Sequence, residues 1–470
     1  MQIPIINGIY TDASADFRTS YPRNLIPVPK TQGISKGYLR PADGITSFGG
    51  ATPGADRGGI NWNGACYRVS GSKLVRVDSD GSITIIGDVG LGNDNAKVTF
   101  DYSFDRLAVC SANNLYYCSG SALSRVTDGD LGNVIDFIWV DGYFMATDGT
   151  YIVVTDLSDP LQVNPLKYGS AETDPDSIVA IVKLHNEPHA IGRYTIQAFR
   201  NVGGQYFPFQ YIQGSEIMRG AVGTHAVCVF AEQIAFVGSA KNEPCAVWVG
   251  SSGTSVKIST REIDTILQEY SEADLAKIVA ETRIDKGHQF LYLHLPDQTL
   301  VYDAAGSSVV GEPVWFVLTT SIEGTGTYRA RNFVWCYDKW IVGDPIANRL
   351  GTFTNKVSSH YGAINGWDFT TLIIYNNTNG VIFHELELVC LTGNSVYPAE
   401  SFVFTSYSTD GVTWSNEQPR RAGRAGQRTQ RINWLQQGNM LNWRIQRFRG
   451  TSDAHISVAA LEARLEQLNV

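Results

Sequence analysis

Three stretches of this 470-residue chain hold residue types and spacings that could do chemistry. STDGVTW, Ser408 to Trp414, has the ingredients of an Asp box, S-x-D-x-G-x-T-W, with one residue missing between Asp410 and Gly411. An aspartate so placed accepts hydrogen bonds from the backbone that follows it and locks a tight turn. HNEPH, 185–189, sets two histidines four apart, but its order is not H-E-x-x-H, and Pro188 disrupts the helix that would put both on one face. His288 and His294 lie six apart in strand-like sequence, where a core or edge role is expected rather than ligation. Asp141, Asp148, Asp156, Asp159, Asp174 and Asp176 sit almost all beside Gly, Pro or Ser, which makes them turn formers. No phosphate-binding G-x-x-x-x-G-K-[ST] and no G-x-S-x-G occurs. No catalytic, cofactor-binding or metal-ligating residue is therefore assigned, and no cofactor is expected.

PRRAGRAGQRTQR, 419–431, is the one marked charge run: Arg420, Arg421, Arg424, Arg428 and Arg431, no acid, and glycines at 423 and 426. Arg444, Arg447 and Arg449 follow. The run is open to two readings, a solvated flexible loop or a docking surface for an acidic protein or a phosphate backbone. It has little aromatic interleaving, which counts against single-strand recognition. The net charge of −9 sets the chain as a whole against nucleic acid. Seven cysteines (66, 110, 118, 228, 245, 336, 390) are an odd count without a C-x-x-C pair and read as reduced, mostly buried thiols. Cys110 and Cys118 flank an expected Asn113-Asn114 hairpin that would set them across from each other. Asn376-Asn377-Thr378 matches a glycosylation acceptor, which matters only in a secreted protein. MQIPIINGIY lacks a basic segment ahead of an apolar one, and no window nears the ~18 apolar residues of a membrane span, so folding in a cytosol is expected.

The elements that carry these residues are mostly strands. Charged residues are 18 % and glycines number 46, a profile of turns and short strands rather than helices. YPRNLIPVPK has three prolines in ten residues, so 1–50 is expected to be an extended arm that lies on the surface or reaches a neighbour. From 51 to 360, short runs of Val, Ile, Tyr and Phe alternate with turn signals such as Asp141-Gly142 and Asp148-Gly149. The meanders recur every 40–50 residues or so, which predicts a β-propeller of about six blades, with stacked sandwiches as the alternative. Within it, Ile263, Ile266, Leu267 and Tyr270 have helical spacing, Ser259 or Thr260 can cap the start, and Ser271 with Asp274 marks a second start. Two short helices inserted over about 259–280 are the expectation. From 361 to 470, strand-like segments including VIFHELELVCL and LNWRIQRFR predict a separate sandwich. The fold class is all-β: a β-propeller-like main domain with a short helical insertion and a C-terminal β-sandwich-like domain.

Three collinear segments carry a resemblance. GYLRPADGI (37–45), the run from EIDTILQEYSEADLAKIVAETR through FLYLHLPDQTLVYDA (262–304), and STDGVTWSNEQ (408–418) resemble the packaged-DNA stabilisation proteins, or tail hub (nozzle) proteins, of short-tailed enterobacterial phages. Within the second, His294-Leu295-Pro296 and Val301-Tyr302-Asp303 match in order and spacing. The resemblance implies a structural, non-enzymatic virion protein, assembled in the host cytoplasm into a homo-hexameric ring in the tail. Such a ring sits below the portal and its adaptor, retains packaged DNA and docks tailspikes and the tail needle. DNA passes through its lumen without specific binding, and no membrane is spanned. The alternative is a propeller glycosidase of the sialidase kind acting on host surface sugar, since such enzymes repeat the Asp box through their blades.

Overall fold

Two-residue turns set the architecture. The computed structural model describes the chain except residues 7, 12–16, 31, 34, 93–95, 158, 172–174, 377–378, 396, 398, 452 and 469–470, and gives only the backbone of 8–11 and 17–20. The glycosylation match and Asp174 thus lie outside the described residues. Hairpins joined by two residues at positive φ twist in the sense that strands prefer. Asn63-Gly64, Asp141-Gly142, His185-Asn186, Ala231-Glu232, Lys286-Gly287 and Tyr337-Asp338 all take that geometry, with φ between 47° and 90°. Each links an innermost strand to the next strand outward.

The result is seven antiparallel sheets whose innermost strands are Asp56–Trp62, Thr99–Tyr102, Asp136–Val140, Ile178–Leu184, Val227–Phe230, Val279–Asp285 and Arg331–Cys336. These strands contact their neighbours in a closed ring, so the sheets are the blades of a seven-bladed propeller. The expectation of about six is short by one. RLAVC-SANN-LYYC extends the first meander in sequence but forms a blade of its own, because its first hairpin uses the longer Ser103–Arg106 connection. Every seam between adjacent blades holds its own apolar cluster. One seam joins Val69 and Leu74 to Leu107 and Val109, and the last joins Val75 and Val77 to Val334 and Ile341. The middle strands of the blades are therefore buried on both faces and can read as unbroken apolar runs, as Leu107–Ser111 does, while outer strands such as Ile83–Asp88 are largely exposed.

The last blade closes with a strand from the other end of the chain. Gly44–Phe48 pairs antiparallel with Leu350–Thr354 and forms its outer edge. The residues before it correct the expectation of a surface arm. Leu25–Pro29 and Gly37–Pro41 are strands of the C-terminal sandwich, in the order Leu25–Pro29, Gly37–Pro41, Val458–Gln467, Val381–Cys390, Ile432–Leu435. The prolines confine Leu25–Pro29 to the sheet edge, as their missing N–H groups require, yet all five of its residues are buried. Leu25 belongs to the sandwich core with Phe383, Trp434 and Phe448, whereas the adjacent Ile26 packs with Phe290, Tyr292 and Phe316 of the sixth blade. One strand thus joins two cores. The second sandwich sheet runs Trp367–Thr370, Trp443–Gly450, Glu400–Ser408, Gln418–Arg424.

Two helices, Arg261–Gln268 and Glu272–Leu275, fill the connection between the fifth and sixth blades. Thr260 caps the first by accepting from the Ile263 N–H, and Ser271 caps the second by accepting from that of Asp274. Ile263, Leu267 and Leu275 pack into the seam beside Val247 and Trp315, so the insertion is part of the propeller core. A third helix, Ala304–Val310, was not foreseen; it contacts Leu25–Pro29 and ends at Gly311 with φ 83°.

If Leu25–Pro29 is shared core, Leu25→Ala and Ile26→Ala each lower unfolding free energy by about 2–5 kcal/mol, measured by urea titration. A loosely attached arm would leave both within about 0.5 kcal/mol of the parent.

Candidate functional site

The Asp-box stretch makes a turn, and it lies in the sandwich. Asp410 Oδ1 accepts from the N–H groups of Val412 and Thr413 at 2.9 and 2.8 Å, and Ser408 Oγ donates to it at 2.9 Å. Ser408 Oγ in turn accepts from the Gly411 N–H at 2.8 Å, with Gly411 at φ 75°. The Thr413 hydroxyl, which donates to Asp410 Oδ2 at 2.5 Å, and then these donors hold the Asp410 carboxyl well below the usual carboxylate range. The turn links Glu400–Ser408 to the strand carrying the arginines, outside every blade.

The other chemical candidates resolve in the same way. His185 and Asn186 form a hairpin turn, while His189 is buried with Nδ1 3.0 Å from the Glu187 carbonyl. His288 meets Asp303 at 2.7 Å and His294 meets Glu281 at 2.6 Å, each within one blade. Asp148 caps the N–H groups of Thr150 and Tyr151, and Asp176 those of Tyr194 and Thr195. Asp156 pairs with Lys167 at 2.6 Å. Among the described residues no group of three or more His, Cys, Asp or Glu could hold a metal ion, and no helix is long and apolar enough to cross a membrane. All seven cysteines are free. The hairpin turn is Ala112-Asn113, so Cys110 opposes Leu115 and Cys118 opposes Leu107, in two different seams.

What the motif search missed is a set of buried charges at the seams. Arg68 and Asp56, both in the first blade, pair at 2.7 Å with almost no exposure. Asn332 of the seventh blade donates to Asp56 at 2.7 Å and its carbonyl accepts from Arg68 at 2.9 Å. Glu281 of the sixth blade accepts from the N–H groups of Asn332 and Phe333 at 3.0 and 2.8 Å. The series ties three blades together. Asp136 does the same for the second to fourth blades, accepting from Thr99 at 2.7 Å and from the Ile181 N–H at 2.9 Å; burial pushes its carboxyl up to about 6. A charged residue inside an otherwise largely apolar strand, such as Arg68 in Ala65–Ser70, was the available signal.

The first half of the arginine run is a strand, and 425–431 are turns and irregular structure. Gln418–Arg424 pairs with Glu400–Ser408. Arg431 grips Glu387, Nε to Oε1 at 2.7 Å, and Arg421 and Arg424 lie 3.6 and 3.8 Å from Glu400. Arg420 Nε donates to the Asn433 carbonyl at 2.9 Å. Arg428 stands apart, in a cleft with Lys356 and His455. Of the arginines that follow, Arg444 is buried between the Phe383 and Tyr407 rings, and Arg447 and Arg449 pair with Asp368 and Glu417.

Residues 1–358 match the family described as bacteriophage P22 Gp10, beta-propeller, and residues 366–466 the family described as bacteriophage P22 Gp10, beta-sandwich. The chain is 28 % identical over 486 residues to the tail hub protein gp10 of Salmonella phage P22, covering 99 % of each. Among solved structures it is similar to the N-terminal domain of Nup159, at 10 % identity with a TM-score of 0.42, over 71 % of this chain and 99 % of that one. It is also similar to PorZ of Porphyromonas gingivalis, at 10 % identity with a TM-score of 0.38, over 66 % of this chain and 39 % of that one.

The segment joining propeller to sandwich carries a titratable group. His360 is 3 % exposed, bonded to Thr320 at 2.8 Å, and bridges Ile45 of the closing strand. Burial lowers its pKa to about 3. It stays neutral when folded but takes a proton when unfolded below about pH 6.5, so its contribution is complete above that pH and is lost as pH falls towards 3. Relative to His360→Gln, the parent should lose about 1.4 kcal/mol per pH unit below pH 6. Urea midpoints of the two proteins at neutral and acid pH check this; equal shifts would refute it.

Proposed function

The chain belongs to the bacteriophage P22 Gp10 family, through both its propeller and its sandwich, and on that premise we propose that it is a structural tail hub protein of a short-tailed phage. The observation that carries this is similarity to a tail hub protein along 99 % of the chain. A structural role also accounts for the Asp-box stretch as a turn of the sandwich, whereas a glycosidase of the sialidase kind repeats the box in its blades.

In finer detail, the chain forms a homo-hexameric ring below the portal and adaptor, in the tail of a virion assembled in the host cytoplasm. The ring extends the DNA channel, closes the head against leakage and offers docking surfaces for tailspikes and the tail needle. Six copies at −9 each carry −54, and acidic surface on the lumen would repel DNA and let it pass without sticking. Arg420, Arg421, Arg424, Arg428 and Arg431 face an adaptor or spike. All five are exposed, and Arg420, Arg421 and Arg424 lie on an edge strand of the sandwich, which suits contact with an acidic surface.

DNA-filled heads that carry portal and adaptor but lack this protein test the role. Adding the chain with the needle should lower nuclease-accessible DNA, and rings should be seen at the vertex; unchanged leakage with nothing docked sinks the reading. Replacing the five arginines with Ser should weaken docking about tenfold or more at low salt. Unchanged docking at moderate salt would remove them from the interface.

A further inference from the structure

A cleft opens where the two domains meet. Its walls are Asn355 and Lys356, leaving the last blade; Gly393, Asn394 and Ser395, following Val381–Cys390; and Arg428, with His455 behind. The walls are fastened to one another. The Gly426 N–H donates to the Gly393 carbonyl at 3.0 Å, Thr392 Oγ1 to that of Gln427 at 3.1 Å, and Asn394 Nδ2 to that of His455 at 3.4 Å. Gly393 has φ 77°, and a Cβ there would come within 2.8 Å of the Gln427 backbone, so only glycine lets this wall close. The cleft is thus formed in advance by the fold.

Its lining is cationic in a chain whose net charge is −9. Lys356 and Arg428 are both exposed, and among the described residues neither has a carboxylate partner. Arg421, Arg424 and Arg431, in contrast, lean on Glu400 and Glu387. Among the described residues no acidic residue lines the cleft, and the buried Ser395 Oγ has no hydrogen-bond partner. Burial lowers the pKa of His455, so its imidazole is neutral and does not compete for an anion. Two cations without carboxylate partners lining one space make a site for an oxyanion.

We propose that this cleft binds carboxylate side chains of an acidic segment on a protein that docks against the tail hub. The inference rests on the arginine run being a docking surface; it narrows that surface to Arg428 and adds Lys356, which lies outside the run. Volume and charge select the occupant. About 370 Å³ lies within the size range of small-ligand sites and admits one or two side chains but no duplex. The chain's net negative charge disfavours a long polyanion.

Fluorescence anisotropy of the full chain with labelled hexaglutamate at low salt is the test, with oligothymidylate as the phosphate-bearing probe. Hexaglutamate should bind, and the Lys356→Gln/Arg428→Gln variant should weaken it about tenfold. Arg420→Gln/Arg421→Gln should change it less than about twofold. Equal weakening by both variants would mean diffuse surface charge and overturn the proposal, as would no binding by the parent chain. Tighter oligothymidylate binding, lost in the cleft variant, would overturn it in favour of nucleic acid. If the cleft variant docks on heads as the parent does while the five-serine variant does not, the cleft is refuted and the arginine surface stands. If the parent chain fails to seat on heads, the tail hub reading falls, while hexaglutamate binding still decides the cleft.

Discussion

The structure depends on one pairing: Gly44–Phe48 against Leu350–Thr354. Seven blades in a ring leave the first and last without a covalent link. Here the outer edge of the last blade is supplied from the start of the chain, so opening the ring would mean breaking a sheet. The same pairing holds the sandwich in place, because the two strands before it, Leu25–Pro29 and Gly37–Pro41, belong to a sandwich sheet. Ring closure and domain attachment are therefore a single constraint. The linker strengthens it: Ile45 donates to the Ser359 carbonyl and accepts from Tyr361, on the way from blade to sandwich.

The buried charges gather at the seams of the blade that closes the ring. Asp56, Arg68, Asn332, Glu281 and His294 run from the sixth blade through the seventh to the first. An apolar seam alone would accept a small slide of one blade on the next. Carboxylates that accept from particular backbone N–H groups would not, since a slide would leave buried charge unpaired at several kcal/mol. Asp136 sets the same kind of lock among the second to fourth blades. For a hub that docks other proteins, the role proposed for this chain, this rigidity would be the useful property. The cleft at Lys356 and Arg428 is preformed for the same reason, since its walls come from the junction that closure immobilises.

Much was legible locally. Strand runs, the Asp141-Gly142 and Asp148-Gly149 turns and the Thr260 and Ser271 helix caps all follow from the preferences of residues next to one another. Other turns were not. Ala231-Glu232 and Tyr337-Asp338 take positive φ without glycine, because the strands on either side impose it. The second blade was hidden because its first hairpin lacks a two-residue turn, and because strands buried on both faces lose the alternation that marks a sheet surface.

Sequence by itself determined the class of fold, its repeat and the family, since each rests on local pattern or collinear segments. Tertiary structure alone decided the fate of the first fifty residues and of the arginines. Leu39 faces Val458, a partner more than four hundred positions away, so no local signal could turn a proline-rich arm into a sheet edge. The five arginines look alike in the run. Glu385, Glu387 and Glu400, brought alongside by strand pairing, engage three of them, and the domain junction sets Arg428 beside Lys356. Charge in a sequence is additive, but what a charge can bind depends on which of its neighbours in space have already neutralised it.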